Sequence, residues 1–407
     1  MSLGRILFVA AELDNGGAER HARILLPGLR DRGFELTVLT LSREGVAFQE
    51  LLSHGIDTQC AGMRWRMDVG GIRRAVSAAG VTPDLIVSQG VSAQAFAEVL
   101  AARTRTPHLT IEHSPPSLPL RRHQRALVRL VAPRIDHVIA VAGAQLPRLI
   151  RLGYRRELIS VIPNGIPQPA PVRSRAVTRA ELGLRDDHFV AILIAHLSPR
   201  KRHGLFLSSV VEANRSDPRI RGLMVGAASF DPEADARMAA LAARTDGVVQ
   251  FLGYRADVPE LLNAADALCL TSATGGESMP MTVLEAMSLS RPVLSTDVGA
   301  IREVVSSGNT GILVPPEDCG PELTTALLAL AANPSGAAEL GAAGRRRYQQ
   351  YFSANRMIDR YASTFSELWG SGVSGDRGAG GRQRRRRALP TKPDSLTRSC
   401  RSYHPYR

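Results

Sequence analysis

Apolar and β-branched residues come in short runs along the chain: RILFVA, ELTVLTL, DLIVS, HLTIE and HVIAVA in the first half, then FVAILIA, GLMVG, VVQFLG, ALCLTS and PVLST. Between them lie longer stretches with helix-like apolar spacing. Runs of about five to seven residues alternating with helices predict βαβ units and parallel sheets covered on both faces. The pattern occurs twice. Its two occurrences are separated by PNGIPQPAPVRSRAVTR, Pro163 to Arg179, which has four prolines and no apolar periodicity and reads as a linker. The expected fold class is therefore α/β, with two doubly wound parallel-sheet domains, 1–168 and 169–350. Positions 351, 352, 357, 358, 361, 362, 365, 368 and 369 then form a helical apolar stripe that needs a partner surface, giving a helix over 351–370. The remainder, 371–407, begins SGVSGDRGAGGRQRRRR and has too little apolar surface to order itself.

Composition refines this picture. A length of 407 residues with 44% apolar content suits two globular cores. No run approaches the roughly 18 apolar residues of a spanning helix, and MSLGRILFVAAELDNGG reaches acidic residues and glycines too early for a signal peptide. Cys60, Cys269, Cys319 and Cys400 are scattered without a zinc or disulfide pattern, so a cytoplasmic setting is expected. The net charge of +13 is uneven: nine Arg and one Lys against two Asp give the tail +8 of it. That charge alone is an unspecific signal for nucleic acid or anionic lipid, and nucleic acid is not the expected partner. Of 51 cationic side chains only Lys201 and Lys392 are lysine, and Lys201 is the one outside the tail.

Two segments carry candidate chemistry. After the first strand, LDNGGAER places Gly16 and Gly17 where the backbone turns tightly ahead of a helix N-terminus, which can face an anion. The spacing falls short of G-x-G-x-x-G and no acidic residue ends the second strand, so dinucleotide binding is disfavoured. In the second half, SATGGESMPMTVLEAMSLSRPVLST sets Glu277 in a glycine-rich loop and Glu285 in the first turns of a helix starting near Pro280 to Thr282. Paired carboxylates accept hydroxyl hydrogens, which suits a sugar or ribose. The amides of the intervening helix N-terminus suit a phosphate. On spacing alone, a capping Glu277 and a surface Glu285 serve equally well.

Read together, GGAER, IEHS, VIPNGI, AHLSPRK, FLGYRADVPELLNAADALCLTS, GESMPMTVLEAM, GAIREVV and TGILVPPED resemble the retaining glycosyltransferases of the GT-B fold, the large family of bacterial lipopolysaccharide, capsule and mannoside transferases. The likeness runs from Arg5 to about Trp369. It implies two Rossmann-like domains facing a cleft, the last helix returning to the first, with a nucleotide-sugar bound at the C-terminal ends of the second domain's strands. On matching positions, Glu285 would hold the ribose and Glu277 the transferred sugar. The free amides around Ser278, Met279, Pro280 and Met281, the proline itself having none to give, and the ammonium of Lys201 would face the diphosphate. His113 would lie near the reacting sugar carbon, and Tyr254 and Arg255 in the base pocket. Gly16 and Gly17 would line the donor site from the first domain. No metal or other cofactor is implied, and no D-x-D tripeptide occurs in the chain.

This sequence departs from the family twice. His196 stands where an arginine is common, exchanging five donors and a fixed charge for one donor. Gly299-Ala300 replaces Gly-Gly, which narrows a loop near the sugar. The acceptor implied is a glycan or lipid-linked glycan. SLPLRRHQRALVRLVAPR, residues 117–134, forms a basic amphipathic helix that could rest on anionic headgroups. Other readings are a same-fold epimerase or phosphorylase, or a non-catalytic protein that binds nucleotide-sugar or nucleic acid. Only the nucleic-acid reading makes the tail necessary for function.

Overall fold

The computed structural model describes residues 3–14, 16–63, 82–117, 119–228 and 231–373. The chain divides after Gly165 and before Ala354 into two compact units, the first made of the N-terminal portion plus the C-terminal segment, the second of Ile166–Ser353.

The first unit holds a seven-stranded parallel sheet in the order β3-β2-β1-β4-β5-β6-β7. Its strands are β1 Gly4–Glu12, β2 Phe34–Arg43, β3 Asp57–Cys60, β4 Leu85–Gln89, β5 His108–Glu112, β6 His137–Ala140 and β7 Ile159–Val161. The second unit holds a six-stranded sheet, β10-β9-β8-β11-β12-β13. Here the strands are β8 Phe189–Ile194, β9 Ile220–Val225, β10 Val249–Phe251, β11 Ala267–Leu270, β12 Val293–Thr296 and β13 Gly311–Val314. Every residue of β4, β6, β11 and β12 is buried, as strands covered on both faces require. Strand order reverses between β1 and β4 in one sheet and between β8 and β11 in the other, the positions where open α/β sheets part their loops and receive ligands.

The helix Val91–Thr104 lays Ala93, Ala97 and Leu100 on Leu7, Val9, Leu39 and Ile86. The basic helix Arg122–Val131 turns Val128 and Val131 onto Val138 and Ala140. Its arginines 121, 122, 125 and 129 are exposed, and Leu130 lies outward with them, 61% exposed. Among the described residues no helix is long and apolar enough to cross a membrane.

The sequence expectation needs correction in three places. The linker ends earlier than Arg179, because Ser174 caps a helix, Arg175–Glu181, by accepting from the Val177 amide at 3.4 Å. Its buried anchor is Arg179, whose guanidinium donates to the carbonyls of Ala264 at 2.8 Å, Arg185 at 2.7 Å and His188 at 2.6 Å. An apolar-periodicity rule overlooks a helix held by arginine. The stripe at 351–369 belongs to two elements: the helix Pro334–Tyr351 ends at Tyr351 and Phe352 is buried in the second unit. The last helix runs Ala354–Val373 in the first unit, burying Met357, Ile358, Tyr361 and Phe365 beside the helix Gly17–Asp31. Gly28 permits this approach, since a Cβ there would stand 2.3 Å from Ile358 Cδ1. Residues 371–373 continue the helix, and the rest of the expected tail lies outside the described residues.

Burial also makes the fold acid-sensitive. His137, bonded through Nε2 to Ser160 Oγ at 3.0 Å, and His203 are each pushed down to about 4, burial being the main cause. Unfolded chain takes up a proton at these sites near pH 6.5, whereas the folded protein does so only near pH 4. Their contribution, about 3 kcal/mol each, is therefore complete above pH 6.5 and lost as pH falls toward 4. Thermal melts should show a steep drop in Tm over that window. His137→Gln, which can keep a bond to Ser160, should flatten the drop, and an unchanged slope in the variant would contradict the assignment.

Candidate functional site

In the second unit, the loops after β8 and β11 meet at the switch point. The β8 loop ends in a single 3-10 turn, Pro199–Lys201, followed by Arg202 in the left-handed region at φ 48°. Arg202 acts as a clamp. Its guanidinium donates to the carbonyls of Thr271 at 2.6 Å, Ser272 at 3.0 Å and Pro316 at 2.7 Å, tying together the ends of three loops. Thr271 Oγ1 returns a bond to Lys201 O at 2.8 Å, the Ala273 amide donates to Arg200 O at 2.8 Å, and Thr296 Oγ1 donates to Ser272 O at 2.6 Å.

This frame brings Lys201 and Glu277 together. Lys201 Nζ lies 2.5 Å from Glu277 Oε1 and 3.4 Å from Gly276 O. Ser272 Oγ donates to the same carboxylate oxygen at 2.5 Å. The side chains are 21% and 5% exposed, so the pair is largely withdrawn from water. Glu277 is thus a buried acceptor, and it does not cap the helix that follows. That helix, Met281–Ser288, has Pro280 at its N-cap and no side-chain capping bond, which leaves its N-terminal dipole without a side-chain counter-group. Glu285 is 1% exposed, which removes the surface-residue reading.

Glycine geometry fixes the loop. At Gly276 a Cβ would stand 2.8 Å from Ala273 O. Gly299 has φ +60°, and a Cβ there would stand 2.1 Å from Glu277 O. The next residue, Ala300, is buried and donates its amide to Ser278 O at 3.2 Å. The GAIREVV segment is thus a backbone brace for the carboxylate loop.

His196, Tyr254 and Arg255 make no contact with this pair among those described. His196 is exposed at the end of β8, and Tyr254 is 69% exposed. Arg255 forks onto Asp257 at 2.7 and 2.6 Å and, together with Arg173, holds that carboxyl at about 2. None of the described contacts joins Tyr254 or Arg255 to Lys201 or Glu277.

Gly16, Gly17 and His113 belong to the first unit. Gly16 is the extended N-cap of Gly17–Asp31, and the Glu19 carboxylate folds back over it, so a Cβ at Gly16 would meet Oε2 at 2.1 Å. Burial raises the Glu19 carboxyl, with Glu12 and Asp14 adding to the effect. His113 follows β5. Both neighbours are tied down: Glu112 Oε1 accepts from the Ser114 amide at 2.7 Å, and Gln145 Nε2 donates to the carbonyls of Glu112 at 3.1 Å and Ser114 at 2.8 Å. Arg148 Nη1 balances the Glu112 charge at 3.6 Å. The His113 ring is pushed down to about 4 by burial, so it is neutral at pH 7.

Residues 188–333 match the family described as glycosyl transferases group 1, and residues 15–168 match glycosyltransferase family 4. HepE of Anabaena in complex with UDP superposes with a TM-score of 0.79 at 24% identity, over 89% of this chain and 100% of that one. The chain belongs to the GT-B glycosyltransferases. Sucrose-phosphate synthase from Thermosynechococcus elongatus also shares the GT-B architecture, with a TM-score of 0.74 at 20% identity over 90% of this chain and 99% of that one. In sequence, this GT-B chain is 28% identical over 251 residues to D-inositol 3-phosphate glycosyltransferase of Streptomyces bingchenggensis, covering 57% of this chain and 53% of the relative. It is 33% identical over 245 residues to alpha-maltose-1-phosphate synthase of Mycobacterium tuberculosis, covering 55% and 62%. The chain thus spans about half the length of the curated relatives it matches.

Sequence reasoning missed Arg202, Thr271 and Ser272 as the frame of the pair, and His21, which packs on His113. Arg202 sits beside Lys201 and Thr271-Ser272 ends a strand run, but nothing in one sequence says that their bonds converge. The brace gives a direct test. Gly299→Ala should cost about 2 kcal/mol or more, because an L side chain is strained at that φ and collides with the Glu277 carbonyl. Denaturant melts check this, and a loss under about 0.5 kcal/mol would mean the loop yields freely.

Proposed function

We propose that this GT-B chain is a retaining, metal-independent glycosyltransferase that moves a sugar from a UDP- or GDP-sugar to a glycan or lipid-linked acceptor in cell-envelope or exopolysaccharide synthesis. The observation that carries the reading is the desolvated Lys201–Glu277 pair beside the helix Met281–Ser288, at the switch point of the second sheet. An ammonium and a helix N-terminus are complementary to a diphosphate, and a carboxylate to sugar hydroxyls. The UDP and UDP-glucose complexes of HepE are consistent with such a donor.

In this reading the bond from the anomeric carbon to the diphosphate oxygen breaks while an acceptor hydroxyl oxygen bonds to the same face of that carbon. The acceptor proton passes to the departing phosphate. Negative charge grows on the β-phosphate, where Lys201 and the amides of Ser278, Met279 and Met281 receive it, each fixed donor being worth roughly 3 to 4 kcal/mol. No metal step is invoked. Glu277 orients the transferred sugar, Glu285 the ribose, and neutral His113 serves the sugar. Gly16 and Gly17 serve the donor, and Tyr254 and Arg255 the base. With His196 in the arginine position, more of the leaving-group charge falls to Lys201.

Lys201→Arg should remain folded yet lose about tenfold or more in kcat, because a planar fork replaces a compact ammonium; wild-type turnover would remove Lys201 from the mechanism. Thermal shift with UDP-, GDP-, ADP- and TDP-sugars should pick out one donor class, stabilising by about 2.7 kcal/mol at 100 times Kd. No shift with any of them would count against transfer.

We also propose that the exposed arginines of Arg122–Val131 hold the protein at anionic membrane surfaces, at the inner face of the cytoplasmic membrane. Co-flotation with phosphatidylglycerol vesicles should occur at low salt and fade at high salt. Absence of binding at low salt would end that part of the reading.

A further inference from the structure

His21, His113 and Tyr361 form a polar cluster inside the first unit. The His21 and His113 rings meet edge to face with centroids 4.7 Å apart, and Tyr361 approaches His21 at 5.3 Å from the last helix. Both nitrogens of His21, Nε2 of His113 and the hydroxyl of Tyr361 are buried without a hydrogen-bond partner. Each such atom costs on the order of 1 to 3 kcal/mol, and gathering four in one place is expensive when Phe would fill the same space. His113 is the titratable neighbour of His21, and the Arg360 guanidinium near Tyr361 does not bond its hydroxyl. The cluster is therefore retained for something other than stability.

Its position suggests what that is. Glu112, Gln145 and Arg148 fix the backbone on either side of His113 but leave its ring alone. The ring rests on His21, which belongs to the helix opened by the glycine turn, and Tyr361 in turn rests on Phe365 at 5.8 Å. His21 and Tyr361 are both fully buried, so neither can touch a substrate. We propose that His21, backed by Tyr361, is a positioning residue that sets the plane of the His113 imidazole for sugar transfer. This rests on the role given to His113 above. The last helix thereby reaches the chemistry through two ring contacts, and burial keeps all three groups uncharged at pH 7.

The test separates positioning from packing. His21→Phe and Tyr361→Phe each remove unpartnered polar atoms and keep the ring volume, so Tm should hold or rise. Over the same variants, kcat should fall about tenfold for His21→Phe and by a smaller factor for Tyr361→Phe, with KM for the nucleotide-sugar within about twofold. A kcat within twofold of wild type in His21→Phe would overturn the proposal. So would a Tm that falls together with activity in both variants, which would make the cluster structural. His113→Ala is measured alongside. If it keeps full activity, the transfer role of His113 is what fails; if it is inactive while His21→Phe is not, only the positioning role fails.

Discussion

Lys201 and Glu277 stand 2.5 Å apart in a site where the carboxylate is 5% and the ammonium 21% exposed, and the loops after β8 and β11 are bonded to each other beside them. Removing two charges from water costs several kcal/mol per ion, and their mutual attraction returns this only when geometry is good and other bonds contribute. Ser272 supplies one such bond, on the same oxygen as the lysine. Arg202, Thr271 and Thr296 then hold the backbone from which the pair projects, and Gly299 leaves room for the Glu277 carbonyl. A hydrophobic pair would be cheaper for the fold. Under the proposed function this is a pre-paid site, in which the cation and the carboxylate neutralise each other until a ligand with phosphate and hydroxyl groups takes both.

Lysine is rare in this chain, and that rarity sharpens the point. With 49 arginines among 51 cations, an ammonium outside the tail is an exception, and it lies against a buried carboxylate at the switch point of the second sheet. Arg202, the next residue, shows what arginine does in the same loop: its fork reaches three carbonyls at once. A guanidinium serves as a clamp, a compact ammonium as a movable charge.

The central strands were legible because they are apolar on both faces, and the linker because its prolines break periodicity. What escaped the sequence escaped for physical reasons. The strands β3 (DTQC) and β7 (ISV) lie at the two edges of the first sheet, where half-exposed residues need not be apolar. The helix Arg175–Glu181 is anchored by a buried arginine, which a hydrophobic pattern cannot show. At the site, the glycine-rich loop and its two glutamates could be read, but not the convergence of Arg202, Thr271 and Ser272, whose bonds span about 70 residues. His21 shows the same limit: it sits in the GGAER segment's helix, and only the fold lays it on His113, 92 positions away in the numbering.

The central claim is that the Lys201–Glu277 pair is kept for a ligand and not for the fold. A double-mutant cycle measures it directly, with Lys201→Met and Glu277→Gln made singly and together, stability read by denaturant melts and UDP and GDP affinity by calorimetry. The account predicts that each single change destabilises by leaving a buried group without its partner, that the double variant recovers most of the stability, and that the double variant binds neither nucleotide. A double variant that loses as much stability as the two singles summed, or that binds a nucleotide as tightly as wild type, would contradict it.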